Sequence, residues 1–129
     1  MFEKLEITRM AQALASHAGA RMGVIARNIA NADTPGFKAQ DMPDFAKAYA
    51  AQSQGEDMRV TRARHFGAGE IVAESIAQDR RGAAAPNGNS VSLEGEMVMA
   101  VEARQQHDMA LAIYRSSSDI IRISLGRGR

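Results

Sequence analysis

From Thr8 to Ile29, small or apolar residues recur at Thr8, Ala11, Ala15, Ala18, Met22, Ile25 and Ile29, at spacings that alternate between three and four. A seam of that kind commits residues 5–31 to one helix, about 40 Å long at about 1.5 Å per residue, that has to meet another helix. The seam is slim, with alanine at several core positions. Slim seams allow close approach but remove little area from water, so the pair they form is weak in isolation. Gly19 and Gly23 continue Ala11 and Ala15 at four-residue steps along one side of the same helix. Each glycine costs about 1 kcal/mol relative to alanine in a helix interior. Simple tolerance is one explanation of them; a flat face for the backbone of a neighbouring subunit is the functional one.

The helix is made to stop within Asn28-Ile29-Ala30-Asn31-Ala32-Asp33-Thr34-Pro35-Gly36-Phe37-Lys38. Asn31 suits a left-handed C-terminal residue. Pro35 lacks a backbone donor and moves Thr34 out of the helical region. Pro35-Gly36 fits the middle of a type II turn, with glycine at the position of positive φ. Phe37 is thereby thrown to one side as an anchor.

A second helix is expected over residues 91–126, opened by Ser92 as N-cap with Glu94 and Glu96 in the first turn. Its seam reads Leu93, Met97, Ala100, Arg104, His107, Leu111, Tyr114, Ser118, Ile121 and Leu125. A second apolar line, Val98, Val101, Met109, Ile113, Ile120 and Ile123, lies beside it. Two lines on one helix imply two partners, the N-terminal helix of the same chain and another subunit. Between the helices, residues 32–90 read as connecting structure. Asp44 to Ala51 fits a short helix carrying Phe45 and Tyr49. Met58 to Thr61 and Glu70 to Ala73 are weak strand candidates for a small hairpin. Arg80 to Asn89 reads as a flexible loop. The expected fold is all-α, a single domain in which the two terminal helices pair as a coiled coil around an irregular centre.

Composition narrows the function classes. Alanine supplies 24 residues, as many as Leu, Ile, Val and Phe together, so bulky core formers are scarce although net charge is only +1. Such a chain suits long helices that need partners to complete their burial. There is no cysteine, hence no disulfide, thiolate nucleophile or thiolate metal site. The start, Met1 to Glu6, lacks the apolar core of a secretory signal, and no apolar run is long enough to span a bilayer. Residues 91–114 carry −3 and residues 115–129 carry +3, a polarity that complements a helix dipole. The terminal Arg115, Arg122, Arg127 and Arg129 are read as a solvated helix end; a small nucleic-acid-binding coiled coil is the competing reading.

Catalytic chemistry finds no footing. His17, His65 and His107 have no second ligand at metal spacing, and Glu94 and Glu96 point apart on a helix. No lysine and hydroxyl pair follows Gly67-Ala68-Gly69 or Gly88 as a phosphate loop requires. No cofactor, metal, small-molecule substrate or nucleic acid is expected.

The segment Asn28 to Lys38, continuing to Asp41 and Phe45, resembles the N-terminal signature of bacterial flagellar rod proteins, within the axial family that includes hook proteins. The later Asn87-Gly88-Asn89-Ser90-Val91-Ser92-Leu93-Glu94-Gly95-Glu96-Met97 and the short length make the likeness strongest to proximal rod subunits, with the FlgC type as the alternative. Together these stretches cover about two thirds of the chain. The resemblance implies a non-enzymatic structural subunit whose terminal helices pair and stack helically around an export channel. It implies as partners copies of the same chain, other rod proteins of FlgC and FlgF type, the adaptor FliE, the inner-membrane ring FliF and the type III export apparatus, with export lacking a cleaved signal. Asn28, Asn31, Thr34, Pro35, Gly36 and Phe37 would carry the family turn. Ala15, Ala18, Gly19, Met22, Gly23, Ile25, Ile29, Leu93, Met97, Leu111, Tyr114, Ile121 and Leu125 would form the helix seam and subunit packing. The Gly- and Arg-rich tail, Ser124 to Arg129, departs from the family pattern.

Overall fold

The computed structural model describes residues 2–53, 77–80 and 82–126. Helix α1 spans Phe2–Ala30, strand β1 Gln40–Asp41, helix α2 Phe45–Ser53, strand β2 Gln78–Asp79 and helix α3 Leu93–Ser124. The two long helices pack antiparallel: the Thr8 hydroxyl meets the Ser117 hydroxyl at 2.9 Å at one end, and Asn28 meets Glu96 at the other. The all-α expectation with paired terminal helices therefore holds.

The α1 seam is the one its spacing requires. Ala11, Ala18 and Ile25 are buried, and Thr8, Ala15, Met22 and Ile29 flank them half-buried. On α3 the facing line is displaced from the expected one. Glu96, Ala103, Ala110 and Ser117, seven residues apart, are the buried positions. Leu93, Met97, Arg104, Tyr114 and Leu125 are exposed instead, Met97 at 56% and Leu125 at 64%, while Ala100, His107, Leu111, Ser118 and Ile121 are half-buried. The reason is steric. A helix whose seam is alanine can be approached closely only by another helix presenting small side chains, so Ala103, Ala110 and Ser117 take the contact and the bulky residues are left on its flanks. Each buried alanine withdraws little more than a methyl group, about 0.8 kcal/mol.

A second face of α1 is covered by the chain that returns from its C-terminal turn. Ala13, His17 and Asn28 are buried there. His17 donates from Nε2 to the Pro43 carbonyl (2.9 Å) and stacks edge-on against Phe45, which in turn lies against Tyr49. Arg21 holds Asp41 through two nitrogens, at 3.1 and 3.3 Å. The sheet is a minimal antiparallel ladder of β1 and β2, with Gln40 opposite Asp79 and Asp41 opposite Gln78. The strand candidates at 58–61 and 70–73 lie outside the described residues. No helix among the described residues is long and apolar enough to cross a membrane.

Candidate assembly interface

Two turns far apart in sequence interlock at one end of the helix pair. The first is the stop of α1. Phe37 N–H donates to the Thr34 carbonyl at 3.3 Å across Pro35 and Gly36, and Gly36 has φ 74°, so the turn is the expected type II. Asn31 plays a different part from the one expected. Among the described residues no residue other than glycine has positive φ. Asn31 instead caps the helix with its side chain, Nδ2 donating to the Arg27 carbonyl at 2.8 Å, while Thr34 Oγ1 donates to Asn31 Oδ1 at 3.2 Å.

The second turn, residues 85–92, is ordered rather than flexible. Asn89 is buried, and its Nδ2 lies 2.9, 2.7 and 2.9 Å from the carbonyls of Asn31, Ala32 and Thr34. Its Oδ1 accepts from Val91 N–H at 2.8 Å. One side chain thus gathers three carbonyls of the segment just past the end of α1, two of which, those of Asn31 and Thr34, also accept from the N–H groups of Thr34 and Phe37. Gly36 N–H donates to the Asn87 carbonyl at 3.0 Å and Ser90 N–H to the Phe37 carbonyl at 3.0 Å. The two turns approach back to back: a Cβ on Gly88, itself at φ 80°, would lie 3.4 Å from the Cα of Gly36. Ser92 then caps α3, its hydroxyl accepting from Gly95 N–H at 3.4 Å.

Gly36→Val is expected to disrupt this end. A β-branched residue at positive φ costs about 1–3 kcal/mol in strain, although open space surrounds the site. A complemented strain should lose swimming in soft agar; full motility would refute this account of the turn.

Below the turns lies a buried polar junction. Asn28 is fully buried, and its amide pairs with the backbone of Gln40 as an extra strand would, Nδ2 donating to the carbonyl (2.7 Å) and Oδ1 accepting from N–H (3.0 Å). The same Nδ2 donates to Glu96 Oε2 at 3.0 Å. Glu96 is fully buried, and its other oxygen takes an ion pair from Arg80 at 2.5 Å. Arg80 is delivered by β2, with its N–H on the Ala39 carbonyl at 2.7 Å.

The remaining seam residues show what the described residues leave uncovered. Ile25 is buried; Ala15, Gly19, Met22 and Ile29 are half-buried, and Gly23 is exposed. A Cβ on Gly19 or Gly23 would meet nothing within 4 Å, so no backbone among the described residues uses the flat face. On α3, Met109, Ile113, Ser116, Ile120 and Ile123 form an exposed line at spacings of four and three, with Ile123 70% exposed, and Val98 and Val101 stand on the back of its first turns. Sequence reading placed the turn, the N-cap and this second line. It missed Asn89, Arg80 and the burial of Glu96; the Asn-Gly-Asn run and an acid in a heptad line otherwise made of small residues were the only signals.

Residues 11–38 match the family model for flagella basal body rod protein. The chain is 30% identical over 118 residues to the flagellar basal body rod protein FlgB of Agrobacterium fabrum, covering 88% of each chain. It is 36% identical over 94 residues to FlgB of Cereibacter sphaeroides, covering 72% of this chain and 73% of that one. It is 27% identical over 121 residues to FlgB of Escherichia coli K12, covering 87% and 88%. The matched model spans the α1 seam and the whole type II turn, and the relatives carry the likeness on through most of the chain. This chain belongs to the flagellar basal body rod proteins, of FlgB type.

Proposed function

We propose that the chain is a subunit of the proximal rod that assembles helically around the export channel, with its outward apolar lines completed by neighbouring subunits. In this reading its neighbours are copies of itself, rod proteins of FlgC and FlgF type, FliE and the FliF ring, and it passes torque between that ring and the distal rod. It leaves the cytoplasm through the type III apparatus without a cleaved signal and ends in the periplasmic part of the basal body. The observation that carries the reading is the unpartnered line Met109, Ile113, Ile120 and Ile123 on a helix whose opposite face is already occupied by α1. Apolar side chains so arranged are retained at subunit contacts, where each is worth about 1.5–3 kcal/mol on full burial. Gly19, Gly23, Leu93, Met97, Tyr114 and Leu125 are assigned to the same purpose on the other flank.

Ile120→Asp tests it. Ile120 is exposed in the single chain, so the variant is expected to remain soluble with unchanged helical circular dichroism. Packed against a neighbour, an unpaired carboxylate is costly, and the strain should build no rods and fail to swim. Normal basal bodies in that strain would dismiss the proposed interface.

A further inference from the structure

The seam between α1 and α3 has almost nothing in its middle to say how far one helix should slide along the other. Ala11 and Ala18 face the stretch holding Ala103 and Ala110, and a shift by one heptad exchanges alanine for alanine along that stretch, with Ile25 the one bulky buried residue of the α1 seam. Such a shift moves the helices by about 10 Å at about 1.5 Å per residue. Within the seam, among the described residues, polar pairs that distinguish one alignment from the next stand at its two ends, Thr8 with Ser117 and Asn28 with Glu96, and beyond the seam the bonds between the two turns hold the second end.

The two ends are unequal. The hydroxyl pair is only partly buried and its members are small. At the other end, Asn28 and Glu96 are both fully buried. The Asn28 amide cannot turn freely, because Gln40 holds both its oxygen and its nitrogen. It is therefore a donor in a set place. A heptad slip that brings Ala15 level with Ser117 carries Glu96 beyond the end of α1. The opposite slip, which brings Thr8 level with Ala110, lays the carboxylate against Met22. Either strips Glu96 of Asn28 and draws it away from Arg80, and a buried carboxylate without partners is among the most unfavourable groups a fold can hold.

We propose that the Asn28–Glu96 pair, with Arg80 neutralising the carboxylate, is the register lock of the terminal helices. A single polar pair in an apolar seam specifies alignment at some expense in stability. The consequence goes beyond the assembly reading: the lock sets how far the outward line on α3 stands from the flat face of α1.

Disulfide trapping in the full chain tests the lock, because the protein has no cysteine of its own. Thr8→Cys with Ser117→Cys reports the native register, while Ala15→Cys with Ser117→Cys and Thr8→Cys with Ala110→Cys report the two slips. The first probe also removes the hydroxyl pair, leaving Asn28 and Glu96 as the polar pair of the seam, beside the bonds between the two turns. Native-register disulfide should exceed either slipped product by about tenfold or more, and Asn28→Leu with Glu96→Leu should cut that preference by about fivefold or more while helical content persists, the bonds between the two turns supplying what remains. Retention of the native preference in the Leu/Leu chain overturns the proposal. Should that chain give no disulfide with any probe, Glu96→Gln and Glu96→Ala decide it. Glutamine keeps an acceptor for Asn28 and should keep the preference, whereas alanine should lose it; equal behaviour of the two overturns the lock.

Discussion

Arg80→Met is expected to cost the chain about 3 kcal/mol, by stranding the buried Glu96 carboxylate with Asn28 as its remaining partner. The low end of the range for breaking a buried ion pair applies, because the Arg80 side chain is itself 28% exposed and water can partly screen the loss. Thermal unfolding followed by circular dichroism should show the midpoint falling by about 10 °C or more. The double variant Arg80→Met, Glu96→Leu should recover part of that fall, since no charge is then left unpaired, although one Asn28 N–H loses its acceptor. A midpoint unchanged by Arg80→Met would mean that the carboxylate is not dependent on its guanidinium partner.

Asn89→Ala is expected to be of similar size for a different reason. It takes from the Ala32 carbonyl and the N–H of Val91 the partner that Asn89 supplies, and leaves the carbonyls of Asn31 and Thr34 with the N–H groups of Thr34 and Phe37 alone. At about 1–3 kcal/mol for each buried polar group left unsatisfied, and allowing for water entering the gap, a total of about 3 kcal/mol is expected. Asn89→Asp separates the two halves of its role. Aspartate keeps the acceptor for Val91 but turns oxygen toward three carbonyls, so it should destabilise at least as much as alanine. An aspartate variant as stable as the parent protein would contradict the assigned donor role. Hydrogen exchange at Gly36 and Ser90, whose N–H groups cross between the turns, would show whether the loss stays local.

How much of this was legible beforehand follows from distance along the chain. The α1 seam could be read because its period is local and unbroken from Thr8 to Ile29. The type II turn could be read because proline and glycine impose backbone angles on their own positions. Ser92 as a cap needed only the residues just after it. The α3 seam was read half a face away, because the reading gave weight to bulk at Leu93, Met97 and Tyr114. The alanine partner selects smallness, and that preference belongs to α1, not to α3. Asn89 and Glu96 were invisible for a stronger reason: their partners on α1 and its turn lie 55 or more residues away. A polar residue next to a helix start has a sufficient local explanation, so nothing in the neighbourhood of Glu96 demands burial. The strand pair formed by 40–41 and 78–79 likewise depends on a meeting of remote segments, with two residues on each side.

The claim on which the account depends is that the outward apolar lines of α3 are covered by other subunits in the rod. Single cysteines placed at Val101, Ile113 and Ile123 in the otherwise cysteine-free chain, with Lys47→Cys as an exposed control on α2, measure this directly through maleimide labelling of the isolated protein and of purified basal bodies. All four positions should label readily in the isolated chain, and in basal bodies at least Ile113→Cys and Ile123→Cys should be protected while the free protein stays reactive. Full labelling at these positions within assembled, motile rods would contradict the account.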